Sequence, residues 1–112
     1  MSLDFYLEEE RTSQEEVFWA NITHNLTKMA DKAGIYQCLW RPSELTNDGK
    51  TKAKDIVELL REGLKKLKEN PEYYRQFDSP NGWGIYDHFV PFVEKCLIAC
   101  EENPNADVRV SV

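Results

Sequence analysis

The sequence lacks any long hydrophobic run. No stretch of about eighteen consecutive apolar residues occurs, which is the length that a membrane-spanning helix requires. Asp4 and Glu8 stand where a secretory signal peptide would carry positive charge and then an apolar core. Internal repeats and low-complexity segments are absent as well. We therefore expect a cytoplasmic protein that has no membrane partner.

Cysteine is scarce, and no motif for common chemistry is present. The three cysteines are an odd number without disulfide-type spacing, so we expect free thiols in a reducing compartment. Cys96 and Cys100 are four residues apart, which suits metal ligation, but no second ligand motif accompanies them. Phosphate-binding glycine loops, dinucleotide fingerprints and nucleophile elbows are missing. The sequence thus predicts no metal, no cofactor and no catalytic residue.

Positive charge is in deficit. Lys and Arg number 14 against 20 Asp and Glu, which gives a net charge of −6. A nucleic-acid partner is disfavoured, because affinity for the phosphate backbone comes mainly from clustered cations. With 41% hydrophobic and 12% aromatic residues, residues 1–112 are expected to fold as a single globular domain.

Three segments show strand patterns. Leu3 to Glu8 alternates apolar and polar residues, and Val17 to Ile22 is rich in aromatic and β-branched residues. A polar connection, 9–14, would join them into a hairpin, and 107–112 alternates in the same way. These segments predict an α+β fold with a three-stranded antiparallel sheet packed against three to four helices.

Both faces of the predicted second strand carry bulky side chains. Phe18, Ala20 and Ile22 share one face, while Val17 and Trp19 share the other. One face should pack on helices, and the other should be partly covered or meet a partner. A homodimer formed through that second face is one possibility.

Helical periodicity recurs in four places. The predicted helices are 23–33, capped by Asn21 or Thr23 and stopped at Gly34; 51–69; 71–77; and a strongly apolar segment ending near Glu102. Pro91 implies that the last helix begins only near Asp87, or that it is kinked between Asp87 and Pro91. We expect residues 35–41, before Pro42, to form a turn or irregular link, and 43–47 to make one helical turn.

Polar and aromatic residues crowd together between Ala20 and Pro42. His24 and Asn25 fall in the first turn of the predicted helix, where free amides and the helix dipole favour an anionic or carbonyl-bearing ligand. The alternative is that Asn21, Thr23 and Asn25 only cap the helix. Arg41, beside Trp40, would bind a phosphate or carboxylate, or instead form a salt bridge to Glu44 or to an acidic strand residue.

Residues 78–84, which read DSPNGWG, are predicted to form a turn. Trp83 lies between two glycines, which allow a close backbone approach either to a ligand or to a neighbouring helix, and core packing is the commoner role of tryptophan. If these segments converge, they form an aromatic-walled pocket suited to a nucleotide. The predicted ligand-binding residues are Asn21, Thr23, His24, Asn25, Trp40, Arg41, Asn81 and Trp83.

The segments NITHNLTKMADKAGIYQCLWRP, TKAKDIVELLREGLKKLK, NGWGIYDHFVPFVEKCL and ENPNAD together resemble a family of small uncharacterised proteins encoded by phages and prophages. The resemblance covers nearly the whole chain after Asn21. It implies a compact α+β fold and a location in the cytoplasm of the host cell. A related group carries Tyr-Thr-Tyr-Asn where this chain has residues 22–25, which weakens a general-base role for His24.

Two functions follow as hypotheses. The first is a non-catalytic accessory protein whose acidic surface and hairpin bind a protein partner. The second is a small-ligand protein, such as a nucleotide-binding protein or a minor hydrolase, that uses a pocket at the N-terminus of the first helix. The absence of a catalytic motif makes the first, non-enzymatic function the preferred one.

Overall fold

A computed structural model describes residues 2–10 and 14–112 and confirms the α+β fold. Strands β1 (Ser2–Glu10), β2 (Gln14–Thr23) and β3 (Asp107–Ser111) form one antiparallel sheet in the order β2-β1-β3. The N-terminal hairpin and the C-terminal strand are therefore neighbours, as the alternating patterns predict. Both hairpin strands extend into the predicted polar connection, of which residues 11–13 lie outside the described part of the chain.

One face of the sheet is buried. Leu3, Phe5 and Leu7 of β1 are fully buried, and their partners across β2 are Ile22, Ala20 and Phe18. This inner face packs against the helices and carries the core, because residues two apart along a strand point to the same side. The pairing shifts between Leu7 and Glu8, which leaves Val17 unpaired as a β-bulge, so Val17 departs from the simple alternation with Trp19.

Five α-helices complete the described fold: α1 (Thr27–Lys32), α2 (Tyr36–Trp40), α3 (Ala53–Glu69), α4 (Pro71–Arg75) and α5 (Tyr86–Glu102). Two short 3-10 helices, His24–Leu26 and Pro42–Leu45, precede α1 and follow α2. None of the helices in 2–10 and 14–112 is long and apolar enough to cross a membrane.

The first predicted helix has a tighter beginning than expected. Thr23 caps it through its side-chain oxygen, which accepts a hydrogen bond from the amide of Asn25 at 3.2 Å. The first turn is a 3-10 helix and only then does α1 begin, while Gly34 ends the segment at φ +79° as predicted. The last helix starts at Tyr86 and contains Pro91, in keeping with a beginning near Asp87.

The prediction of an irregular link over residues 35–41 is wrong, because this segment contains α2. Its five residues are too few to display a periodic pattern, and it is held by burial of Cys38, Leu39 and Trp40. The residue before Pro42 does leave the helical region, as expected: Arg41 has φ −137° and ψ 49°, so α2 stops at Trp40.

Packing between α2 and α3 depends on Gly63, which is buried within α3. A methyl group there would collide with the γ-methyl of Ile35, the residue before α2.

We expect Gly63→Ala to lower the free energy of unfolding by about 1–3 kcal/mol through overpacking, although helix propensity alone would raise it by about 1 kcal/mol. Chemical denaturation measures the difference. Glu62→Ala, at an exposed position of the same helix, is the matched control. A Gly63→Ala protein that is more stable than wild type would contradict this packing.

Candidate functional site

A cleft of about 730 Å³ lies where the hairpin, the first helical turn and the loop before α5 meet. Its described lining residues are Ser2, Asn21, Thr23, His24, Asn25, Asn81 and Trp83. Six of the eight predicted ligand-binding residues thus surround one cleft, although they come from segments about sixty residues apart. Of the other two, Trp40 reaches the cleft indirectly through His24, and Arg41 does not line it.

The loop before α5 is fastened to the first helical turn. Asn25 Nδ2 donates to the backbone oxygen of Trp83 at 2.6 Å. The backbone amide of Trp83 in turn donates to Asn81 Oδ1 at 2.9 Å, and Ser79 Oγ donates to the same oxygen at 2.6 Å. Asn25 therefore does more than sit beside a helix cap, since its side chain ties together two walls of the cleft.

Gly84 makes this close approach possible. A Cβ atom at Gly84 would lie 2.8 Å from Asn25 Cβ and 3.1 Å from Thr23 Cγ2, and its φ of +120° suits glycine only. Gly84 thus allows the loop backbone to lie against the Thr23–Asn25 turn. Core packing of Trp83 was the wrong expectation: the contact is made by the backbone, and the indole is 73% exposed.

A buried tryptophan determines which ring nitrogen of neutral His24 carries the proton. Trp40 is buried, stacks on Tyr36 with ring centroids 5.7 Å apart, and donates from Nε1 to His24 Nδ1 at 2.9 Å. An indole N–H can only donate, so Nδ1 must be the acceptor and the neutral ring carries its proton on Nε2. Within the cleft His24 is thereby set as a hydrogen-bond donor.

Arg41 follows the alternative interpretation given by the sequence. Its Nη1 lies 3.8 Å from Glu44 Oε2, and both side chains are more than half exposed. A hydrogen bond with Tyr36 is the main reason that the pKa of Arg41 is raised above its ordinary value, with the charge of Glu44 a smaller cause. Its position before Pro42, at the end of α2, keeps Arg41 out of the lining of the cleft.

The outer face of the sheet continues from the cleft. Asn21 Nδ2 donates to Ser2 Oγ at 2.9 Å and to Asp4 Oδ1 at 2.8 Å, and Trp19 Nε1 donates to the same carboxylate oxygen at 3.2 Å. Trp19 is 52% exposed. Ser2 and Asp4 were missed as site residues; the alternation that places them on one face with Tyr6 was the signal that could have found them.

None of the seven described lining residues carries a formal charge when His24 is neutral. The described residues also include no group of three His, Cys, Asp or Glu side chains that could hold a metal ion. All three cysteines are buried away from the cleft, and burial raises the pKa of the Cys38 thiol to about 12. At neutral pH this thiol therefore stays protonated and is a poor nucleophile.

Comparison with protein-family models, curated proteins and solved structures finds no match to this chain. The resemblance to phage proteins stays a prediction, and function has to be inferred from the geometry of the site.

The contact at Gly84 can be tested with its neighbour as control. We expect Gly84→Ala to lower the free energy of unfolding by about 2–4 kcal/mol, because strain at positive φ adds to the collision with Asn25. A Cβ atom at Gly82 would meet nothing within 4 Å, although φ there is +76°. Gly82→Ala should therefore lower the free energy of unfolding by only about 1–2 kcal/mol. Denaturant titration compares the two, and equal losses would contradict the close approach.

The role of His24 as an acceptor can be tested by substitution. His24→Ala leaves the buried indole N–H of Trp40 without a partner and should cost about 1–3 kcal/mol of folding free energy. His24→Asn places an amide oxygen near the position of Nδ1 and should recover part of that loss. If His24→Asn unfolds at the same denaturant concentration as His24→Ala, so that no stability is recovered, the result contradicts a stabilising hydrogen bond from Trp40.

Proposed function

We propose that this protein acts by non-catalytic binding and that its partner is another protein. The proposed contact surface, here named the tryptophan face, consists of Ser2, Asp4, Trp19 and Asn21 on the outer side of the sheet together with Trp83, which lines the cleft. The phage context implied by the sequence resemblance fits an accessory protein that binds a component of the host cell.

The observation that carries this proposal is the pair of exposed tryptophans. Trp19 and Trp83 are 52% and 73% exposed, and Asn21 and Ser2 connect the two sides by lying both on the sheet and in the cleft. Burying one exposed indole at an interface is worth several kcal/mol, and tryptophan is among the residues that most often dominate binding energy.

The arrangement of hydrogen bonds also supports binding without catalysis. Trp19 Nε1 and Asn21 Nδ2 share Asp4 Oδ1 as acceptor, so the side chains of the face are ordered before a partner arrives. Because these side chains are already ordered, the entropic cost of association is lower. His24, whose Nδ1 is occupied, is suited to donate a hydrogen bond and not to remove a proton from a substrate.

Affinity capture from host lysate tests the proposal. Immobilised wild-type protein should retain a defined partner, and Trp19→Ala and Trp83→Ala should each weaken that complex at least tenfold. Tyr73→Ala is the matched control, because Tyr73 is an equally exposed aromatic, 49%, on α4. A partner that both tryptophan variants retain as well as wild type does would contradict the assignment of the tryptophan face.

The cleft favours a second candidate, the binding of a small ligand. Its volume of about 730 Å³ falls within the range usual for small-molecule sites, and its described lining residues include the exposed Trp83 and three asparagines. The hypothesis of a nucleotide loses its phosphate partner, because Arg41 lies outside the lining. An uncharged ligand fits the lining better than a phosphorylated one. The test is ligand-induced stabilisation against heat, which should be absent in Trp83→Ala.

A further inference from the structure

We infer that the cleft binds an uncharged nucleobase, free or as a nucleoside, stacked on the indole of Trp83. This inference rests on the second candidate function, small-ligand binding, and narrows the class of ligand. Three features carry it: amide orientations fixed by the protein, unpaired groups of both hydrogen-bonding types, and an exposed aromatic residue among described lining residues that carry no charge when His24 is neutral.

The orientation of each amide follows from its partner. Asn25 must direct Nδ2 to Trp83, because a backbone oxygen only accepts. Asn81 must direct Oδ1 to Trp83, because a backbone amide only donates. Asn21 must direct Nδ2 to the acceptor-only carboxylate of Asp4.

These bonds leave a defined set of groups available to a ligand. Among the described contacts, no protein partner is found for the acceptors Asn21 Oδ1 and Asn25 Oδ1 or for the donors Asn81 Nδ2 and His24 Nε2–H. The edge of a nucleobase presents donors and acceptors side by side in one plane. Asparagine and histidine groups of this kind are suited to read such an edge.

Trp83 supplies the stacking surface. Hydrogen bonds at its amide and its carbonyl oxygen hold the backbone that carries the exposed indole. Every nucleobase has a π face, and loss of one stacking aromatic typically weakens binding about 10- to 100-fold.

The charge of the lining separates nucleosides from nucleotides. The seven described lining residues include no Lys or Arg, and the chain has a net charge of −6. A phosphate group would gain no ion pair there and would be repelled by the overall negative field. Nucleoside 5′-monophosphates should therefore bind no more tightly than the parent nucleosides, and somewhat more weakly at low salt.

Isothermal titration of the 112-residue chain with adenosine, guanosine, cytidine, uridine and thymidine tests the inference. At least one nucleoside should bind, and its 5′-monophosphate should bind equally or more weakly. Trp83→Ala should weaken binding about 10- to 100-fold with an unchanged Tm, since Trp83 is exposed. Tyr73→Ala, which removes an exposed aromatic on α4 outside the described lining, is the matched control that should bind as wild type. Asn81→Asp is a second variant: it keeps the oxygen that accepts from Trp83, removes the Nδ2 donor, and should weaken binding at least fivefold.

The outcomes separate the class of ligand from the function. If methyl glucoside or another neutral saccharide binds and loses affinity in Trp83→Ala, the nucleobase inference is overturned while small-ligand binding stands. A monophosphate that binds more than tenfold tighter than its nucleoside overturns the uncharged class. If no nucleoside, nucleotide or saccharide binds at millimolar concentration, both the inference and the second candidate function fall.

Discussion

The contact between the backbone at Gly84 and the turn at Asn25 is the constraint on which the candidate site depends. A hydrogen bond of 2.6 Å from Asn25 to the carbonyl of Trp83 joins two segments that are 58 residues apart in sequence. The hairpin supplies one wall of the cleft and the loop before α5 supplies the other. Any side chain at position 84 would separate them, so the absence of a Cβ atom there permits the cleft to exist.

A second interaction gives the cleft its chemical character. Trp40 is buried by core packing, and its indole N–H needs an acceptor, which His24 Nδ1 provides. The core thereby sets the hydrogen-bonding pattern of a residue at the surface. Arg41 pairs with Glu44 outside the cleft, and the described lining residues carry no charge when His24 is neutral. This lack of charge distinguishes the proposed nucleobase site from a nucleotide site.

Sequence patterns predicted those parts of the fold in which a periodic pattern extends over many consecutive residues. The alternation of Leu3, Phe5 and Leu7 predicts a buried strand face, and the long apolar stripe of α3 predicts a helix that the structure contains with only its start shifted. Helix α2 was missed because five residues show no period, and because the residue before it, Ile35, packs against Gly63, which is distant in sequence.

Convergence of the site was a hypothesis that the sequence could raise but not test. Capping residues and a glycine-rich turn indicated where polar groups collect, yet no pattern says which way an exposed indole points. Trp83 was expected in the core because tryptophan is usually buried, and tertiary packing placed its backbone against the turn instead. Arg41, predicted either to bind a ligand or to form a salt bridge, lies near Glu44 and outside the described lining of the cleft. The course of α2, which places it there, could not be read from its residues.

The most direct test of the central contact is a nuclear Overhauser experiment on isotope-labelled protein, which measures proximity between the α-protons of Gly84 and the β-protons of Asn25. A Cβ atom at Gly84 would lie 2.8 Å from Asn25 Cβ, so the α-protons of Gly84 lie close to the β-protons of Asn25. We expect strong cross-peaks between them in the absence of any ligand. Their absence from a folded protein would mean that the loop and the turn are apart and that the cleft is not preformed.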